Sequence, residues 1–239
     1  MQGVAVRYPT AIVGLQEIPK WKVARASGFM IRSSPQSDCG LAIPIKFNQH
    51  IGQESWGDYW YGVAVGDLVC ISIHIIDYTA GGSGEVALRE SAKFISESSK
   101  YLRERGHSPW VYVAVDANTT PIPDVESVTG NCVMAALQSH YPSSRAIFTS
   151  WLVRQGLYLP CTFNDTALSL DDMWTRRGSV RTSSSSGQIA KTTHSQIDFG
   201  CVSACMRATS YVWTYPPPAL TRSDHRPKVT VVERHPLPT

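Results

Sequence analysis

Trp110-Val111-Tyr112-Val113-Ala114-Val115-Asp116-Ala117-Asn118 is an apolar, β-branched run that stops at a carboxylate, an alanine and an asparagine, with Thr119-Thr120-Pro121 behind it. The run reads as a buried strand, and the polar residues before the proline read as the turn that ends it. Upstream, Val86, Leu88, Ala92, Phe94, Ile95 and Leu102 recur among charges between Glu85 and Arg105, which predicts an amphipathic helix stopped by Gly106. Before that helix, the runs 59–65 and 68–76 flank Gly66-Asp67, the signal of a hairpin whose second arm carries His74. Two further short strands are expected over 11–15, just before Glu17, and over 41–45.

On the other side of the opening run, Arg145 to Gln155 predicts a second helix closed by Gly156. The stretch 182–195 is rich in Ser, Thr and Gly and is expected to be a mobile surface loop. Strands are expected over 197–202, 211–214 and 228–232, the last after Ser223-Asp224-His225-Arg226-Pro227. Strands therefore outnumber helices, and no internal repeat is visible.

The totals bound the class. A chain of 239 residues with 43% hydrophobic and 17% charged residues is an ordinary packed α/β chain, neither disordered nor fibrous. A net charge of +3 marks no strongly basic surface, so nucleic-acid binding cannot be argued from charge alone. The six cysteines show no CxxC pairing, which argues against a zinc ribbon or a disulfide framework. No apolar run is long enough to cross a bilayer and no signal-peptide pattern opens the chain, so an intracellular protein is expected.

What points to chemistry is a series of polar groups at the ends of apolar strands: Glu17, His74, Asp116 with Asn118, Asp198, and Asp224 with His225. Carboxylates converging from several strands are what a hard divalent cation takes, and Asn and His beside them could orient and activate water. Each has a plainer reading. Glu17 could be a solvated loop residue, His74 a hydrogen-bonded core histidine, Asp116-Ala117-Asn118 an Asx-turn, Asp198 a local cap, and Asp224-His225 part of a polar loop.

Their order along the chain carries a resemblance. Gly14-Leu15-Gln16-Glu17, Ile71-Ser72-Ile73-His74, Val115-Asp116-Ala117-Asn118, Ser195-Gln196-Ile197-Asp198-Phe199 and Ser223-Asp224-His225-Arg226-Pro227 together resemble the endonuclease/exonuclease/phosphatase superfamily. Within it the chain is most similar to the endonuclease domain of non-LTR retrotransposons. The resemblance implies a deoxyribonuclease-I-like fold, a four-layer α/β sandwich of two packed mixed β-sheets flanked by helices, in one domain over 1–239. It also implies Mg²⁺ (or Mn²⁺) as cofactor. Glu17 and Asp224 would then be metal residues, Asp116 and Asn118 would position the attacking water and the scissile phosphate, and Asp198 would hold the ring of His225. His225 would contact the phosphate or move a proton, and His74 occupies a position where members carry His or Tyr. Trp174, Arg176 and Arg177 resemble an aromatic-plus-basic stretch that contacts the DNA backbone, although a core Trp beside a solvated turn fits them too.

Two departures accompany the resemblance. Members begin with a strand bearing an Asn ahead of the segment matched by residues 14–17, so the chain is expected to be an N-terminally truncated domain. Ala114-Val115 stands where glycines are common, which would narrow the approach to Asp116. The expected activity is metal-dependent nicking of DNA, with no membrane partner, inside a larger polyprotein that includes a reverse transcriptase, and nuclear in that case. A phosphatase or RNA deadenylase on the same fold is the second expectation, and a silent remnant that only binds nucleic acid is the third.

Overall fold

The structure, a computed structural model, describes residues 10–17, 24–26, 28–133, 142–163, 175–184, 187–212 and 228–233. In chain order the elements are β1 (Val13–Leu15), β2 (Ala24–Ala26), β3 (Phe29–Ser33), β4 (Gly40–Pro44), β5 (Ile51–Gly57), β6 (Trp60–Val65), β7 (Leu68–His74) and α1 (Ser83–Arg103). There follow β8 (Trp110–Asp116), α2 (Pro142–Gln155), β9 (Leu157–Tyr158), β10 (Arg176–Ser184), β11 (Gly187–Ser195), β12 (Asp198–Ser203), β13 (Arg207–Val212) and β14 (Lys228–Glu233).

A six-stranded sheet runs β5-β6-β7-β8-β12-β9 and a four-stranded antiparallel sheet runs β1-β4-β3-β2. The β6–β7 hairpin turns on Gly66-Asp67, with Gly66 at φ 62°, a left-handed conformation open to glycine. β7 and β8 are parallel, with α1 as the crossover between them.

Side-chain alternation gives the large sheet two different faces. Val69, Ile71 and Ile73 of β7, Val111, Val113 and Val115 of β8, and Phe199 and Cys201 of β12 pack on the helix side with Leu88, Phe94, Ile95, Phe148, Trp151 and Leu152. The opposite face meets the small sheet: Tyr61, Val63, Val65 and Cys70 pack on Leu41, Ile43 and Cys39. On that same face Gly200 of β12 leaves room for Thr230 of β14. The helices, the large sheet and the small sheet thus form successive layers of the α/β sandwich implied by the motifs. The parallel pair lies in the large sheet, and both described α-helices pack into its one core.

Most of the expected elements are present, and one is overturned. The stretch expected as a loop is strand over its described residues 182–184 and 187–195: β10 and β11 pair antiparallel from Arg176↔Ser195 to Ser184↔Gly187. A Ser/Thr/Gly-rich stretch lacks the apolar alternation by which a strand is recognised, yet backbone hydrogen bonding pairs it along its length. The strands β2, β3, β5 and β9 carry no strong sequence signal of their own and emerge only through their pairing partners.

Candidate active site at the shared end of three strands

His74 ends β7, Asp116 ends β8 and Asp198 opens β12, and the register places them side by side: His74↔Asp116 across the parallel pair, Asp116↔Asp198 across the antiparallel one. By alternation all three belong to the face that meets the small sheet. From that sheet β1 delivers Glu17, whose φ of 53° turns the chain just after the strand.

The two sheets touch closely here. A Cβ added at Gly14 would collide with the Ala114 methyl, so β1 rests directly against β8. Hydrogen bonds pin the contact: Ser72 Oγ donates to Leu15 O at 2.9 Å, while Gln16 Nε2 donates to Ser72 Oγ at 3.0 Å and to Ala114 O at 3.3 Å. Gln16, between the strand and Glu17, thereby sets where the carboxylate begins. Glu17 Oε1 lies 3.8 Å from His74 Nε2, and Asp116 Oδ2 lies 4.0 Å from the same nitrogen.

The other ring nitrogen is held by Asp38, from the loop between β3 and β4, with Nδ1 2.7 Å from Oδ2. An ionised carboxylate can only accept, so Nδ1 carries the proton and donates. Burial alone would lower the imidazole's pKa. The hydrogen bond and charge of Asp38, then the charges of Asp116 and Glu17, outweigh burial and hold it above its ordinary value. His74 is thus a buried, hydrogen-bonded histidine, as the plainer reading has it, and also one whose Nε2 faces two carboxylates.

Asp116 is 3% exposed. Asn118 N donates to its Oδ1 at 3.1 Å, which is an Asx-turn, and Asn118 Nδ2 donates to Ile75 O at 2.9 Å. Asp198 is positioned from below by Thr175, fully buried, whose Oγ1 accepts from both Ile197 N and Asp198 N at 3.0 Å. Thr175 also stands at the root of the β10–β11 hairpin, where Arg176 and Arg177 open β10 opposite Ser195 and His194.

Glu17, His74, Asp116, Asn118 and Asp198 are therefore brought to one end of the sandwich. Trp174, Asp224 and His225 lie outside the described residues, and of Arg176 and Arg177 the structure describes the backbone. Among the described residues no group of three or more His, Cys, Asp or Glu converges in a way that could hold a metal ion. Glu17, its side chain 67% exposed at the lip of the site, is the kind of donor a hard cation takes, but the described residues alone do not complete a metal centre.

Four positioning residues escaped the sequence reading: Asp38, Gln16, Ser72 and Thr175. Ser72, a hydroxyl inside an apolar strand, and Gln16, next to Glu17, carried some local signal. Asp38 carried none, because its partner lies 36 residues away and only the pairing of the sheets joins them.

Two face-packed sheets of this topology make the deoxyribonuclease-I-like fold that the motifs imply. Solved structures share it. The 3′-5′ exonuclease NExo from Neisseria meningitidis is 16% identical at TM-score 0.59, over 97% of this chain and 92% of that chain. A 3′ phosphatase NExo variant from Neisseria, bound to product DNA hairpin, is 17% identical at TM-score 0.61, over 97% and 91%. The endonuclease domain of TRAS1, a telomere-specific non-LTR retrotransposon, is 12% identical at TM-score 0.45, over 98% of this chain and 90% of that chain. No family model and no curated protein sequence matches the chain. Among the described residues no helix is long and apolar enough to cross a membrane.

Proposed function

We propose that the protein is a divalent-metal-dependent phosphodiester hydrolase acting on nucleic acid, and more narrowly an endonuclease that nicks DNA in the manner of retrotransposon endonucleases. The observation that carries the reading is the in-register row His74, Asp116, Asp198, with Glu17 reaching it from the second sheet. A phosphodiester resists attack because its oxygens repel nucleophiles and its transition state concentrates negative charge. Asp116, buried with one oxygen engaged by Asn118, would orient a water and take its proton as the water oxygen attacks phosphorus. His74, held above its ordinary pKa, would present a donor to the phosphate oxygens. Asp198 would hold the ring of His225, which would contact the phosphate or pass a proton to the departing oxygen as the P–O bond breaks. Mg²⁺ (or Mn²⁺), held by Glu17 and Asp224, would offset the developing negative charge. Trp174, Arg176 and Arg177 would contact the DNA backbone near the root of the hairpin. On this reading the domain serves a larger polyprotein with a reverse transcriptase, in the nucleus.

Supercoiled plasmid incubated with Mg²⁺ or Mn²⁺ tests the proposal, with EDTA and an Asp116→Ala/His225→Ala double variant as controls. Nicking that needs the metal and those two residues is expected. Intact plasmid from folded protein overturns the endonuclease reading. A second reading, removal of nucleotides or phosphate from DNA 3′ ends, is supported by the likeness to the NExo structures, described as a 3′-5′ exonuclease and a 3′ phosphatase. A 3′-phosphorylated hairpin oligonucleotide in the same assay separates the two.

A further inference from the structure

Beyond the ends of β7 and β8, residues 75–78 run alongside 116–118 and are stitched to them. Ile75 N donates to Asp116 O at 2.9 Å, Asn118 Nδ2 donates to Ile75 O at 2.9 Å, and the Tyr78 hydroxyl donates to Ala117 O at 2.7 Å. The Tyr78 ring packs against the helix-side core, which fixes its position. Burial, then the charges of Asp116 and Cys201, push its phenol well above the ordinary range, so the hydroxyl keeps the proton it donates.

In a trans peptide the carbonyl and the following N–H point in opposite directions within one rigid plane, and this chain has no cis peptide among the described residues. Anchoring Ala117 O therefore decides where Asn118 N points. It points at Asp116 Oδ1, 3.1 Å away, while Oδ2 is the oxygen that faces His74 Nε2. Asn118 adopts φ 44°, a left-handed conformation that a non-glycine residue keeps when its surroundings hold it.

We propose that Tyr78 is a positioning residue that acts through the Ala117–Asn118 peptide plane, aiming the Asn118 N–H at one oxygen of Asp116 and leaving the other directed into the site. The inference rests on the reading of Asp116 as a catalytic group, but the geometric part stands without it.

Tyr78→Phe deletes one oxygen and keeps the ring. In the ¹H–¹⁵N spectrum of the folded variant the Asn118 amide is expected to move upfield, and its hydrogen exchange to accelerate about tenfold or more, as loss of one held bond would give. In the cleavage assay kcat should fall about tenfold with KM unchanged, and Tyr78→Phe should add nothing in an Asp116→Asn background. An Asn118 amide unchanged in shift and exchange overturns the proposal, as does an equal loss of kcat in both backgrounds. Should the wild-type protein cleave nothing, the functional reading fails while the amide measurements still decide the role of Tyr78. If Tyr78→Phe does not fold, 3-fluorotyrosine at position 78 strengthens the donor without removing it, and an Asn118 amide that stays in place then overturns the proposal.

Discussion

The two faces of the six-stranded sheet are built differently. On the helix side, Ile71, Ile73, Val113, Val115 and Phe199 meet Phe94, Phe148, Trp151 and Leu152, large side chains filling an apolar layer. On the opposite side, at the end that carries the site, contact comes from small residues and polar pins: Gly14 on Ala114, Ser72 on Leu15, Gln16 on Ser72 and Ala114 O. Apolar packing depends mainly on volume and tolerates rearrangement, whereas hydrogen bonds and a glycine contact depend on register. At the end that carries the site, the first face therefore supplies the apolar packing and the second sets the placement of Glu17.

That contrast can be broken by substitution. Trp151→Ala should cost most, about 3–5 kcal/mol, from a cavity in the helix-side core and from the Leu88 carbonyl that Trp151 Nε1 now serves. Urea unfolding measures it, and a loss below about 1 kcal/mol would mean that face is not the principal core. Gly14→Ala should cost about 1–3 kcal/mol by driving a methyl into Ala114, and the added Ala114→Gly change should restore most of the loss. A double variant no more stable than the single one would show that the sheets do not meet there. Ser72→Ala removes a buried hydroxyl that both donates and accepts, and should cost about 1–2 kcal/mol while lowering plasmid nicking at least as strongly as thermal stability, since Glu17 loses its anchor.

The smallest effect on stability, and the sharpest in pH, is expected from Asp38→Asn. His74 has a folded-state pKa above its unfolded value, so its contribution is complete below about pH 6.5 and fades as pH rises through the folded value. Removing the Asp38 charge lowers that folded value. The variant should lose stability on the acid side and match the wild type on the alkaline side, and an NMR titration of the imidazole should show the pKa fall. An unmoved titration would mean that Asp38 does not set the charge of His74.

The legibility of the molecule follows the same division. The strands β7 and β8 and the helices α1 and α2 were readable because their burial imposes a regular apolar period. The β10–β11 hairpin was not, because it is held by backbone pairing in a stretch whose composition resembles a loop. Among site residues, those ending apolar strands were visible as abrupt polar stops. Asp38 sits in a polar turn like many others and acquires its meaning from a side chain 36 positions away.

The sequence by itself determined the alternation of apolar strands and helices, the polar residues that terminate them, and the ordered motifs that imply the fold. Local periodicity and turn chemistry act over a few residues and leave direct marks in the chain. Tertiary structure alone decided that His74, Asp116 and Asp198 fall in one register, that Gly14 lets the second sheet close enough to deliver Glu17, and that Tyr78 reaches the Ala117 carbonyl. These depend on how strands distant in the chain pair and how two sheets stack, distances set by the packing of the whole core and by no single segment of it.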